Sequence, residues 1–313
     1  MPEHNSTADA IRIGRQNTAE VLARRAAALG KRASAIAARP RAADVRLQSG
    51  EAPGAEARSL TAGFLVAAGD SWFDYPIHDV LKKLEDEHGY TIESAAHRGD
   101  PVEAMAGAQG QLDKLARCFE KVAALGGTPR AVLLSGGGDD IAGKEFGMLL
   151  NNATLPIAGW NSEVVNGVLN HRIVAAYQTM FAATNEMSRH YSGKNLPILI
   201  HGYDYPVPDG RGFWGGWPFP GPWLQPGFSE KLFSDLQTNV AMMREVMDQF
   251  NDTMIGLTND PALGDVRYVD LRGSLSTDLT NDKYQQWWAN ELHPTEDGFS
   301  AIANRFANAL SAL

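Results

Sequence analysis

The strongest constraint on the fold is an alternation that begins near Leu60 and continues to the C-terminus. Short apolar runs are each followed by a longer amphipathic stretch with helical spacing. This alternation is typical of a parallel sheet covered by helices on both faces, because each crossover between parallel strands needs a helix. The sequence therefore predicts an α/β fold with strands at 64–68, 91–95, 131–134, 197–201 and 266–271 and helices at 78–88, 101–124, 164–191, 229–257 and 294–313.

One stretch departs from this alternation. Residues 203–227 are crowded with proline and glycine and carry Trp214, Trp217 and Trp223. Because proline cannot continue a central strand or a helix interior, the stretch is predicted to be an irregular loop held by its own aromatic packing. The main domain is predicted to span residues 60–313, with this loop as an insertion.

Residues 1–59 have a different composition. They are rich in Ala, Arg and Gly, contain no strand-like run, and end in a Pro- and Gly-containing segment at 50–54. This composition predicts an N-terminal helical extension joined to the main domain by a linker. Positive charge is concentrated between positions 22 and 46, where a solvated helical arm is favoured over a membrane or nucleic-acid contact. The basic residues there are Arg24, Arg25, Lys31, Arg32, Arg39, Arg41 and Arg46, against the single acid Asp44.

Composition and charge exclude several classes of protein. The formal net charge of -9 argues against a general nucleic-acid binder, which needs positive charge to displace phosphate counterions. No stretch is apolar enough to span a bilayer, and the N-terminus lacks the hydrophobic region of a secretory signal, so a cytoplasmic location is expected. The single cysteine, Cys118, excludes an internal disulfide and a cysteine-based zinc site. Assembly into a homo-oligomer is left open.

Candidate site residues follow the predicted strands, because ligands of open parallel sheets bind at the carboxyl ends of the strands. The first strand runs into Gly69-Asp70-Ser71-Trp72, where a serine can expose its hydroxyl above the sheet. A helix N-cap is the alternative interpretation of this serine. After the second strand, Gly99 lets its backbone N–H approach a ligand closely, and His97 is expected to be a solvated turn residue.

The third predicted strand leads into a glycine-rich turn with two interpretations. The spacing from Gly138 to Lys144 fits a phosphate-binding P-loop. Glu145, however, stands where a P-loop has Ser or Thr, and Asp139 and Asp140 put negative charge where phosphates need N–H donors. The phosphate interpretation is therefore disfavoured.

The last informative turn precedes the closing helix. His293 is followed there by Pro294, a residue that favours the first helical turn. A histidine held in this way is well placed to act as a general base, and a helix-capping histidine is the alternative interpretation.

Together, these turns resemble the four blocks of the SGNH/GDSL hydrolase superfamily of lipases and esterases, in the same order and over roughly residues 60 to 313. The matching residues are Gly69-Asp70-Ser71, Gly99, Gly137-Gly138-Asp139-Asp140 and His293-Pro294. The resemblance implies a three-layer α/β/α, flavodoxin-like fold in which Ser71 is the nucleophile and His293 the base. It also implies an oxyanion hole formed by the backbone N–H groups of Ser71 and Gly99 and the side chain at position 139, without a metal or other cofactor.

Two residues depart from the family pattern. Asp139 replaces an asparagine that donates to the oxyanion, and loss of one such donor costs about a hundredfold to a thousandfold in rate. A protonated Asp139, kept neutral by an apolar site and by Asp140, would still donate. Asn290 replaces the aspartate three residues before His293; its amide oxygen can accept from the imidazole, and a backbone carbonyl or Glu291 is the alternative partner.

The predicted function is hydrolysis of a carboxylic ester through an acyl-enzyme on Ser71. Acetyl or short acyl groups are favoured, because no amphipathic interface or lid-like apolar helix is evident in the sequence. Trp72 and Asp140 are predicted to contact the substrate, a small-molecule, lipid or saccharide ester. An acyltransferase and a weakly active or non-catalytic ligand-binding protein on the same fold are the alternatives, the latter because of Asp139.

Overall fold

The structure, a computed structural model, describes residues 7–37, 61–143 and 145–313. Its centre is a five-stranded parallel sheet in the order β2-β1-β3-β6-β7. The strands are β1 (Gly63–Ala68), β2 (Tyr90–Ser94), β3 (Pro129–Leu134), β6 (Ile198–His201) and β7 (Val266–Val269). These are the five predicted strands. Counted within the sheet, their order is 2-1-3-4-5, which is the flavodoxin-like arrangement and confirms the predicted fold class.

A second, two-stranded antiparallel sheet was not predicted. It pairs β4 (Leu150–Asn151) with β5 (Gly159–Trp160). The side chains of Trp160, Phe146 and Phe228 meet edge to face beside it. Two-residue strands carry no alternation of apolar and polar residues, so sequence periodicity cannot reveal them.

The helices form a layer on each face of the main sheet. The chain moves from β1 to β2 in one direction and from β2 to β3 in the other, so right-handed crossovers place the intervening helices on opposite faces. The helices are α1 (Thr7–Ala37), α2 (Val80–His88), α3 (Val102–Met105), α4 (Gln111–Ala124), α5 (Gly138–Ile141), α6 (Ser162–Asn166), α7 (Val174–Ser192), α8 (Gln225–Glu230), α9 (Leu236–Leu257) and α10 (Glu296–Ser311). Helices α2 and α10 pack together, and α7 packs against both α4 and α9.

Short helical segments complete the chain. A π-helical segment, Gly167–Ile173, joins α6 to α7, and 3₁₀ turns occur at Phe146–Leu149, Phe213–Gly215, Pro261–Leu263 and Thr280–Gln286. None of the described helices combines the length and hydrophobicity needed to cross a lipid bilayer.

Two predicted helices are each divided in the structure. The one at 101–124 is interrupted between α3 and α4 by a turn through residues 106–110, which contains the weak helix formers Gly107 and Gly110. The one at 229–257 is interrupted between α8 and α9, where the Asp235 side chain accepts from the Thr238 amide and caps the second helix.

Helix α1 packs against α7 and α4. A Cβ atom on Gly14 would lie 2.4 Å from the carbonyl oxygen of Thr179, so this close approach requires glycine. Arg25 pairs with Glu120 at 2.6 Å, whereas residues 26–35 are exposed. The first half of α1 is therefore attached to the main domain. The predicted linker at 50–54 and the basic residues beyond position 37 lie outside the described residues, and the division of the chain at residue 59 stays a prediction.

Candidate active site

The candidate site lies where the order of the sheet reverses. From β1 the chain moves to the edge strand β2, and it returns past β1 to form β3 on the other side. The carboxyl ends of β1 and β3 therefore border an open crevice, the usual ligand position in such sheets. Ser71 follows β1 and Asp139 follows β3, so both predicted residues lie at this crevice.

Ser71, His293 and Asn290 form a hydrogen-bonded relay. The Ser71 Oγ lies 2.8 Å from the Nε2 atom of His293, and the His293 Nδ1 lies 3.0 Å from the Oδ1 atom of Asn290. An amide oxygen can only accept, so Nδ1 carries the proton and Nε2 presents its lone pair to the serine hydroxyl. This is the geometry in which an imidazole can take a proton from a serine nucleophile.

The Asn290 amide is held in one orientation. Its Nδ2 donates to the Tyr75 hydroxyl at 2.9 Å, while its Oδ1 also accepts from the backbone N–H groups of Leu292 and His293. The Tyr75 ring stacks on the His293 imidazole with centroids 4.2 Å apart, and Trp223 meets the same ring edge-on at 5.5 Å. The hydrogen-bond partner of the histidine is thus Asn290, and the contact of Tyr75 with that partner was not predicted from the sequence.

His293 is buried, and burial lowers its pKa to about 3. A carboxylate partner would raise that pKa by stabilising the imidazolium, but Asn290 has no charge with which to do so. The imidazole is therefore neutral at ordinary pH and available as a proton acceptor.

Asp139 faces Ser71 across the crevice. Burial, followed by the negative charges of Asp70, Asp140 and Asp100, raises its pKa to about 7, while a backbone hydrogen bond from Gly99 opposes the rise. Its Oδ2 atom is buried and has no hydrogen-bond partner among the described residues. Gly99 itself has a positive φ of 83°, which glycine adopts without strain. The structure therefore brings positions 71, 99 and 139 together.

A buried carboxylate beneath the site ties three segments together. The Asp70 Oδ1 accepts from the Trp72 amide at 3.0 Å and from the Ser135 hydroxyl at 2.7 Å. Its Oδ2 accepts from the hydroxyl of Tyr203, which in turn accepts from the Gly138 amide at 3.1 Å. This network fixes the turn after β1 relative to the turn after β3. Tyr203 could not be identified from the sequence, because its hydrogen-bond partners lie far away along the chain.

Glu291 does not contact His293, so that alternative is wrong. Its buried carboxylate accepts from four backbone amides, those of Gly210 and Gln225 at Oε1 and of Trp223 and Leu224 at Oε2, at 2.5 to 3.0 Å. Glu291 therefore attaches both ends of the 203–227 loop to the turn that carries the histidine. The loop is irregular, as predicted, apart from short helical turns.

Other predicted residues lie away from the reacting atoms. The Asp140 carboxylate accepts from the Val102 amide at 2.9 Å and lines neither space beside Ser71, which corrects its predicted role in substrate binding. His97 is exposed and contacts Asp100, as expected of a turn residue. Cys118 is buried in α4. Lys144, the lysine of the disfavoured P-loop, lies outside the described residues.

Ser71 lies between two spaces of very different size. One is a narrow cavity of about 40 Å³ that reaches Trp72, which is 3% exposed, and the apolar side chains of Ile141, Met243 and Met247. The other is a cleft of about 400 Å³ that contains His293 and Gly99. Within the described part of the chain, no group of His, Cys, Asp and Glu residues is arranged to hold a metal ion.

No protein-family model and no curated protein matches this chain. Among solved structures, an α/β hydrolase enzyme from the metagenome of Lake Arreo, Spain, is similar at 17% identity and a TM-score of 0.42, covering 81% of this chain and 97% of that chain. A structure described as a GDSL-like lipase from Parabacteroides merdae is similar at 12% identity and a TM-score of 0.45, with the same coverage of 81% and 97%. An acetylxylan esterase from Geobacillus stearothermophilus is similar at 16% identity and a TM-score of 0.40, covering 80% and 94%.

Proposed function

We propose that this protein is a serine hydrolase that cleaves carboxylic esters. The observation that carries the proposal is the 2.8 Å contact between Ser71 Oγ and His293 Nε2, at the head of a relay that ends on Asn290. Ser71 is the nucleophile, His293 the general base and Asn290 a positioning residue.

The reaction proceeds in two halves. Ser71 Oγ attacks the ester carbonyl carbon and passes its proton to Nε2 of His293, and the tetrahedral intermediate then collapses as His293 returns that proton to the departing alcohol. Water next attacks the acyl-enzyme, with His293 again taking and returning a proton. The products are a carboxylic acid and free Ser71.

Stabilisation of the oxyanion needs donors at position 139 as well as in the backbone. The Ser71 N–H supplies one, the Gly99 N–H, which in the free site donates to the Asp139 carboxyl group, supplies a second when it turns to the substrate, and Asp139 supplies the third while it is protonated. The raised pKa of Asp139, to about 7, supports this role because it keeps the carboxyl group neutral in mildly acidic solution. Asp139 is then a donor that works over a limited pH range.

The acyl group is short. The narrow cavity beside Ser71 measures about 40 Å³, a few times the roughly 10–15 Å³ that one water molecule needs, so it fits an acetyl or similar group and excludes a long chain. The sequence-based reason for this preference was the lack of an apolar surface for lipid. That reason was incomplete, because the long loop exposes the large aromatic side chains of Trp214, Trp217 and Phe219. Cavity size supports the preference independently of that surface.

Hydrolysis of p-nitrophenyl acetate, butyrate and octanoate, by the parent protein and by Ser71→Ala, tests this function. We expect Ser71-dependent turnover that falls steeply from butyrate to octanoate. Equal rates for the parent and Ser71→Ala would refute the proposal and favour a ligand-binding protein. Adding a non-water acceptor alcohol to the same assay separates hydrolysis from acyl transfer, since a transferase would form a new ester in preference to free acid.

A further inference from the structure

The two spaces beside Ser71 have different chemical roles, because only one of them contains the base. His293 lines the 400 Å³ cleft and is absent from the lining of the 40 Å³ cavity. The departing alcohol receives its proton from Nε2 of His293, so it must leave on the side of the cleft. The acyl group then occupies the smaller cavity, which Ser71 also lines.

The wall of the cleft is aromatic and apolar. Beyond the reacting groups it is formed mainly by Tyr75, Phe213, Phe219, Pro220, Trp223 and Leu292. The Tyr75 hydroxyl oxygen accepts from Asn290 and keeps a single O–H to donate, and the one cation, Arg98, is paired with Asp74 and has a side chain 54% exposed. The wall therefore offers ring faces and edges but few free hydrogen-bonding groups, which disfavours a sugar and favours a flat apolar ring.

Contacts on several sides hold this wall in place. Phe213 meets the Tyr75 ring edge-on at 5.6 Å and stacks on Trp214 at 5.0 Å, while Phe219 meets Trp214 edge-on at 5.4 Å. Glu291 fixes the backbone of Trp223. A wall whose rings are already positioned can bind a flat group without the entropic cost of ordering loose side chains.

We propose that the preferred substrates are short-acyl esters of a bulky, flat, apolar alcohol, an inference that rests on the proposed esterase function. The space for the acyl group is small, so this group must be short. The space for the alcohol is larger and aromatic, so this group can be a bulky ring. An ester with the same two groups exchanged would place its bulky ring against the small cavity, which is too small to hold it.

Three esters of alkyl-type alcohols, whose leaving groups differ little in basicity, test this assignment. They are 2-naphthylmethyl acetate, ethyl acetate and ethyl 2-naphthylacetate, the last of which places the ring on the acyl side. We expect kcat/KM for 2-naphthylmethyl acetate to exceed that for ethyl acetate by about a hundredfold, within the range that apolar pockets achieve. Ethyl 2-naphthylacetate should be the poorest substrate of the three.

Substitutions in the aromatic wall of the cleft test which side chains cause the preference for the naphthylmethyl ester. Phe213→Ala and, separately, Phe219→Ala should each lower the ratio of kcat/KM for 2-naphthylmethyl acetate to that for ethyl acetate by about tenfold. Trp217→Ala is the matched control, since Trp217 is 94% exposed and does not line the cleft; it should keep the parent ratio. A parent ratio near one with Ser71-dependent turnover would overturn this inference and leave the esterase standing. Absence of Ser71-dependent turnover on all three esters would overturn the esterase itself.

Discussion

The amide nitrogen of Asn290 donates to the hydroxyl oxygen of Tyr75 at 2.9 Å. The backbone N–H groups of Leu292 and His293, which donate to Oδ1, fix which end of the amide faces His293, and Tyr75 supports the other end. An amide turned by 180° would present N–H groups to Nδ1 and favour the wrong tautomer. An uncharged asparagine amide can therefore orient the histidine, and Tyr75 is one of the groups that hold it.

Tyr75→Phe tests this contact. We expect kcat for p-nitrophenyl acetate to fall by about tenfold, which corresponds to the loss of one hydrogen bond worth ~1.4 kcal/mol in the transition state. The KM should change less than twofold, since the ring that lines the cleft is retained. Tyr191→Phe, which removes a hydroxyl bonded to Glu120 far from the site, is the control and should leave kcat unchanged. An equal loss in both variants would indicate a general effect on the fold.

Asn290→Asp should increase activity near neutral pH. A carboxylate next to Nδ1 stabilises the imidazolium that forms when Ser71 attacks, so kcat at pH 8 should rise by about tenfold. The same charge raises the pKa of His293 from about 3, so activity in the variant should be lost at a higher pH on acidification. Rates measured from pH 3 to 9 for both proteins check the two effects. An unchanged acid limb would contradict the assignment of His293 as the base.

Asp139 should give the alkaline limb of the pH profile. Burial and the negative charges of Asp70, Asp140 and Asp100 raise the pKa of Asp139. The positive charge of Arg172 opposes the rise that burial causes in the pKa of Asp140. As pH rises through about 7, Asp139 loses the proton that it donates to the oxyanion, so the rate should fall. In Asp139→Asn this fall should disappear, and kcat at pH 8 should exceed that of the parent by about tenfold, because only about a tenth of the parent keeps the proton one pH unit above the pKa. A parent rate that keeps rising above pH 7 would count against this role.

The thermal stability of the parent protein and of Asp139→Asn provides an independent check on the raised pKa of Asp139. Because the folded-state pKa of Asp139 is raised, its contribution to stability is present at low pH and is lost as pH rises through about 7. Asp139→Asn should therefore gain Tm relative to the parent at pH 8 but not at pH 4. A difference in Tm that does not depend on pH would contradict a raised pKa.

Glu291→Gln should loosen the aromatic loop. The amide side chain cannot accept from all four backbone N–H groups that the carboxylate now binds, so the free energy of unfolding should fall by about 2 kcal/mol. Urea unfolding measures this change. Glu296→Gln is the control, because Glu296 is 56% exposed in its salt bridge with Lys83 and its replacement should leave the stability nearly unchanged. Equal losses of unfolding free energy in the two variants would show that the hydrogen bonds from the four backbone amides to Glu291 do not stabilise the protein.

The sheet was predictable from the sequence because its five strands are short apolar runs separated by helical stretches, a pattern contained in each local segment. Ser71, Gly99, Asp139 and His293 could be named because each follows a predicted strand or precedes a predicted helix. Tyr203 could not, since its hydroxyl contributes through contacts with Asp70 and Gly138, which lie 133 and 65 residues away. Glu291 was assigned to the wrong partner for a similar reason: its backbone donors belong to an irregular loop whose path has no periodic signal.

Covalent labelling of Ser71 tests the central claim most directly. A fluorophosphonate reacts with a serine hydroxyl only when a nearby base activates it, and mass spectrometry of the digested protein locates the adduct. We predict one adduct, on the peptide containing Ser71, that is absent in Ser71→Ala and forms far more slowly in His293→Ala. An unlabelled parent protein, or labelling that persists in Ser71→Ala, would contradict a serine hydrolase built on Ser71 and His293.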